Sequence, residues 1–146
     1  MDAVLKLSDG HLVAVDAKFP LAAYEPLTRA RSNEEQAVAE RAFIAHVKER
    51  AKEIGTRYVS ETDGTLPFAF MYLPSEGIFY EVVRRPALWD AVTKLRVFPV
   101  SPNSFLPYVY TVVVGLRGLR VQEEARIILA KLASFQRDFA RVAEEF

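Results

Sequence analysis

The stretch that most constrains the fold is Asp2 to Pro20, where two short alternating segments flank Ser8-Asp9-Gly10. The pattern predicts a β-hairpin. Successive strand residues point to opposite faces, so Ala3, Leu5 and Leu7 share one side, as do Val13 and Val15. A three-residue loop with Gly10 in the left-handed region is a common hairpin connection. It pairs Leu7 with His11, Leu5 with Val13, Ala3 with Val15, and Asp2 with Asp16. A two-residue Asp9-Gly10 turn would instead bring Asp16 opposite Ala3 and carry the apolar set to the other face. Burial of one apolar side therefore favours the first register.

In that register two carboxylates face each other, with Lys18 two residues on and pointing the same way. Opposed carboxylates repel unless a cation sits between them. Oxygen ligands of this type suit Mg²⁺ or Mn²⁺. A neighbouring lysine can orient or deprotonate a water, or stabilise charge on a phosphoryl group. The alternative is two strand-end aspartates in solvent and a surface lysine, since an Asp-x-Lys triplet alone is a common accident of composition.

Three segments carry a family resemblance: Met-Asp-Ala-Val-Leu-Lys-Leu-Ser-Asp-Gly at the start, Val-Ala-Val-Asp-Ala-Lys-Phe-Pro-Leu ending at Leu21, and Phe-Met-Tyr-Leu-Pro-Ser-Glu-Gly ending at Gly77. With Val100-Ser101-Pro102 before a long helical tail, they resemble the RmuC family of DNA recombination proteins, in order and from about residue 2 onward. The resemblance implies a restriction-endonuclease-like fold, whose signature is Pro-Asp, a spacer, then Asp/Glu-x-Lys. The signature falls on Asp2, Asp16 and Lys18, and Met1 stands where it has proline. It further implies Mg²⁺ (or Mn²⁺) held by Asp2 and Asp16 with help from the Ala17 carbonyl. Family members commonly carry a membrane anchor and a long coiled coil. The chain is thus expected to be cut from a longer protein, without the first helix and strand of the core.

Length and composition limit the alternatives. The 146 residues, 51% of them hydrophobic, can build one real core. Nineteen basic residues balance nineteen acidic ones, so any contact with DNA must come from a local patch. Cysteine is absent, which excludes disulfides and thiolate metal sites and suits a cytoplasmic location. The start has no signal-peptide pattern, and the most apolar run, Phe105 to Leu116, is shorter than the ~20 residues a membrane span needs. No membrane contact is expected of this piece.

Further along, Ala22 to Tyr24 predicts a short helical turn stopped by Pro26. Ser32 reads as an N-cap, and Ala37, Ile44, Val47, Ala51 and Ile54 predict an amphipathic helix ending at Gly55. Its outer face (Glu40, Arg41, Lys48, Glu49 and Arg50) reads as solvated, and His46, without a companion at ligand spacing, as structural. Thr56 to Leu66, with Tyr58, reads as an irregular loop turning at Asp63-Gly64. Pro67 to Leu73 predicts a strand buried on both faces. Ser75 caps the next helix and places Glu76 at a strand's carboxyl end, where it serves equally well as a site carboxylate or as a dipole-stabilising residue. Helices over Ile78–Arg85 and Pro86–Leu95 follow, with Trp89 in the core. The Arg96–Ser101 strand carries Pro99, which argues for an edge.

The tail from Pro102 is helical, kinked or divided near Pro107 and Gly115. Ile128, Leu132, Phe135, Phe139, Val142 and Phe146 keep four-three spacing, a packing seam that also suits a homodimer. Lys94, Arg96, Arg117, Arg120, Arg126 and Lys131 are candidates for phosphate contacts, or scattered surface cations. No P-loop, Ser/His/Asp set or zinc motif is present.

These readings converge on one α/β domain, with a mixed-sheet core over 1–101 and a helical extension over 102–146, which the resemblance implies is nuclease-like. The expected activity is metal-dependent hydrolysis of DNA phosphodiester bonds by Asp2, Asp16 and Lys18, with Glu76 as a further candidate. The rival is a DNA-binding or scaffold module derived from such a fold, without cleavage.

Overall fold

The computed structural model describes residues 3–59 and 64–144, with only the backbone of 138–140 and 142–144. The chain forms two compact units, Met1–Pro107 and Tyr108–Phe146.

The first unit holds a four-stranded mixed sheet in the order β1-β2-β3-β4. The strands are β1 (Ala3–Lys6), β2 (Leu12–Asp16), β3 (Thr65–Tyr72) and β4 (Val97–Val100). The β1–β2 hairpin pairs Ala3 with Val15 and Leu5 with Val13, the expected register. Gly10 turns the chain with a φ of 93°, open to glycine at little cost. β2, β3 and β4 run parallel, so their carboxyl ends share one edge of the sheet. β4 lies at the sheet margin, where Pro99 removes no needed ladder bond.

Between β2 and β3 come a 3₁₀ turn (Leu21–Ala23), α1 (Glu25–Arg29) and α2 (Asn33–Tyr58). Pro26 does not stop a helix, because it sits in the first turn of α1, where its missing N–H has no partner to lose. The Ser32 side chain caps α2, accepting from the Glu35 amide at 3.1 Å. α2 buries Ala39, Phe43, Val47, Ala51 and Ile54, while Ala37 stays exposed and Ile44 only half-buried. Gly55 does not end it. A Cβ there would come within 3.3 Å of the Leu95 carbonyl, so glycine is kept for close packing and the helix continues through Tyr58.

The α2 stripe packs on Ala14, Ala69, Met71 and Val97 of the sheet, and on Ile78 and Val82 of α3 (Glu76–Val83) and Leu88 and Val92 of α4 (Pro86–Thr93). Trp89 packs against this cluster. Glu40 of α2 keeps a partly exposed side chain but also accepts from Arg85 at 2.8 Å, and Arg85 stacks over the Phe43 ring. The other face of the sheet carries edge-to-face contacts among Phe68, Phe70 and Phe98, joined by Phe105.

The turn from α4 into β4 places Arg96 at φ 58°, the left-handed region that disfavours every residue with a Cβ. Its amide donates to the Thr93 carbonyl, and its carbonyl accepts from the Ala69 amide, which hold the turn closed. Arg96→Gly is therefore expected to raise stability by up to about 1 kcal/mol in urea unfolding. A loss would show that the Arg96 side chain contributes to folding.

The last helix, α5 (Phe105–Glu144), begins at the end of the first unit and supplies the described residues of the second. Pro107 falls in its first turn, where the helix needs no N–H, so the expected division near Pro107 and Gly115 is absent. Ile128, Leu132 and Phe135 of the apolar seam are exposed; the side chains of Phe139 and Val142, and Phe146 itself, lie outside the described residues. Among the described residues no helix is long and apolar enough to cross a membrane.

Candidate active site

Strand parity decides where Asp16 goes. Ala14 packs in the core beneath α2, so Asp16, two residues on, faces the same helix at the carboxyl end of β2. It is 2% exposed, one of the few buried polar side chains. A carboxylate so placed is costly unless paired and hydrogen-bonded.

Arg50 of α2 meets that requirement. One of its terminal nitrogens donates to Asp16 Oδ1 at 2.7 Å and to Oδ2 at 2.8 Å. The other donates to Glu53 Oε2 at 2.8 Å. The Lys18 amide adds a third bond to Asp16 Oδ1 at 3.1 Å. Burial works against the Arg50 charge, yet the bonds and charges of Asp16 and Glu53 outweigh it and hold the guanidinium above its usual range. Arg50 is thus no solvated surface residue. Beside it, Lys18, Pro20, His46, Glu49 and Glu53 line a polar cleft of about 250 Å³. His46 is exposed at this cleft, not a packed core histidine.

The other candidates separate from this group. Asp2 lies outside the described residues, so the opposed carboxylate pair does too. Glu76 opens α3 behind the Ser75 cap, whose oxygen accepts from the Ile78 amide at 3.2 Å. Its carboxylate accepts from the Asn103 amide at 2.8 Å and ties α3 to the loop after β4. That loop is further held by the buried Ser101, bonded to Ser104 at 3.0 Å between hydroxyls. Glu76 therefore stands on the carboxyl edge of the sheet but is not a wall of the Lys18 cleft. Arg117 and Arg120 are exposed on α5, where Arg120 pairs with Glu124 at 3.5 Å.

A divalent cation is not well served by the described side chains. Both Asp16 oxygens are occupied by Arg50, and the Ala17 carbonyl accepts from the Phe19 amide at 3.2 Å. Among the described residues no three His, Asp or Glu side chains gather as a metal cluster. As it stands, the cation neutralising Asp16 is a guanidinium.

The pattern of α2 groups Arg50 with the outer-face charges, yet it also carries a signal of burial. Phe43, Val47, Ala51 and Ile54 define the buried stripe, and Arg50 sits at its border, three residues after Val47. An arginine there is compatible with a carboxylate opposite as well as with a charge reaching solvent, and β2 offers a carboxylate in an otherwise apolar strand.

The RmuC family model matches residues 1–146. The DNA recombination protein RmuC homolog of Xylella fastidiosa is 28% identical over 133 residues, covering 88% of this chain and 29% of that protein. The DNA recombination protein RmuC of Escherichia coli (strain K12) is 29% identical over 114 residues, 76% of this chain and 24% of that protein. A Yersinia pestis homolog of the same name is 24% identical, over 98% of this chain and 32% of its own length. The chain thus spans about a third or less of these relatives. No solved structure gives a significant match.

Proposed function

The chain belongs to the RmuC family, and from that premise we propose that it is the DNA-acting part of a recombination protein, a restriction-endonuclease-like domain that hydrolyses phosphodiester bonds. The observation that carries this reading is Asp16, buried at the carboxyl end of a parallel strand, with exposed Lys18 two residues on in the wall of a polar cleft. Ligands of open α/β sheets bind at that edge. The Lys18 ammonium supplies positive charge where a phosphoryl group and an attacking water would meet. Arg50 holds the Asp16 carboxylate in one orientation, and His46 adds an imidazole to the cleft wall. The resemblance implies Mg²⁺ or Mn²⁺ as the metal. An ion there would share the Asp16 carboxylate with Arg50, whose positive charge opposes it.

A second reading is favoured by that same bond pair. If Arg50 keeps both Asp16 oxygens, the pair is a structural tie and the domain grips DNA without cutting it.

Calorimetric titration of Mn²⁺ or Mg²⁺ into the chain and into Asp16→Asn, followed by incubation with linear, single-stranded and branched DNA, separates the two. Saturable metal binding lost in Asp16→Asn, with metal-stimulated cleavage, is the expected result. DNA binding with neither metal binding nor cleavage would leave the binding module. Absence of any DNA binding would sink both.

A further inference from the structure

We infer that a second, basic cleft at the α2–β4 corner is a docking site for the phosphodiester backbone of DNA, formed by Lys52, Lys94 and Arg96. The inference rests on the DNA-acting reading above and adds to it where the strand is held. Lys52, Thr56, Lys94 and Arg96 line a hollow of about 380 Å³, and among the described residues its wall includes no carboxylate. Among the described residues none of the three cations has an ion-pair partner. Like charges gathered without counterions repel one another, and an anion relieves that repulsion.

Arg96 supplies the independent observation. Its backbone occupies a conformation that suits glycine, yet the position carries a long cationic side chain. Lys94 at the end of α4 also offsets that helix's negative terminus, which accounts for its charge but not for an arginine at φ 58°. Backbone outliers of this kind gather at ligand-contacting positions.

The hollow is also continuous with the candidate active site. A middle hollow of about 460 Å³ shares Lys52 and Thr56 with the basic cleft, and Glu49 and Glu53 with the Lys18 cleft. Arg50 bonds Glu53 but carries one charge for both Glu53 and Asp16, so Glu49 and part of the Glu53 charge oppose a phosphate along the path. From His46 to Thr56 the helix advances roughly 15 Å. That length follows about four phosphates of one strand at ~3.4 Å each along the duplex axis. A strand held by Lys52, Lys94 and Arg96 is thereby aligned with Lys18.

Fluorescence anisotropy with a labelled mixed-sequence duplex, across a salt series, tests this on the full 146-residue chain. The combined variant Lys52→Ala, Lys94→Ala, Arg96→Gly is expected to bind at least about 30-fold more weakly, with the slope of log K against log salt reduced by about 2–3. The glycine matches the local backbone, so unfolding is not expected to mask the effect. Removing three charges elsewhere, at Arg29, Arg31 and Arg41, is expected to change affinity less than about threefold. Equal losses in both variants, or an unchanged salt slope in the first, would overturn the docking site while leaving DNA binding in place. If the unaltered chain binds no duplex, the DNA-acting reading falls and takes this one with it. Inorganic phosphate displacing DNA at concentrations near the DNA dissociation constant would mark a small-anion site and also overturn it.

Discussion

Arg50→Ala is expected to destabilise the fold by about 3–5 kcal/mol, measured by urea or thermal unfolding. The reason is asymmetric. A buried ion pair contributes little when intact, since desolvating both charges offsets their attraction. Removing one partner leaves the other charged and unsolvated. Asp16 is 2% exposed and takes both its strong side-chain bonds from one Arg50 nitrogen, so nothing else described replaces them beyond the Lys18 amide. Asp16→Asn in the same background should recover much of the loss, because a neutral amide costs far less to bury than a carboxylate. A loss under about 1 kcal/mol for Arg50→Ala would mean that water reaches Asp16 readily. The pair would then be an ordinary surface contact and not the tie between β2 and α2.

Lys18→Ala is expected to reduce DNA cleavage by about 10²–10⁴-fold, with DNA affinity unchanged within about threefold. The side chain is exposed at a cleft, two residues from the buried carboxylate, so its removal should leave packing intact. Lys18→Arg should recover activity to within about tenfold of the unaltered chain, since the positive charge is kept. If the arginine variant is as inactive as the alanine variant, Lys18 must shed a proton during the reaction, which a guanidinium cannot do. If Lys18→Ala cleaves normally, the Asp16-Lys18 pair is not the reactive centre. A full loss of DNA binding in Lys18→Ala would instead place Lys18 in substrate binding.

Much of the scaffold was legible because local chemistry dictates it. Gly10 selects the hairpin loop, and the loop selects the register that pairs Ala3 with Val15. Ser32 and Ser75 both cap helices through their own hydroxyls, as their positions before acidic first turns suggest. Pro99 indicates a strand at the sheet margin because proline cannot donate to a ladder. Where local rules misled, packing had overruled them. Gly55 resembles a helix terminator, but the helix passes through it, and the glycine instead gives room to the Leu95 carbonyl, which a Cβ would meet at 3.3 Å. Pro26 and Pro107 resemble breaks, yet both fall in first turns that tolerate them.

The sequence by itself determined the mixed α/β scaffold, the hairpin register and the positions of Asp16 and Lys18 at a strand's end. All of these follow from turn geometry, side-chain alternation and capping within a few residues. Only the tertiary structure decided which cation answers Asp16, because Arg50 is 34 residues away and meets it solely through the packing of α2 on the sheet. The same holds for Arg85 and Glu40, 45 residues apart, and for Lys52 beside Arg96. Charge pairing depends on distance in space, and no periodicity along the chain encodes which side chains a crossover helix will bring together.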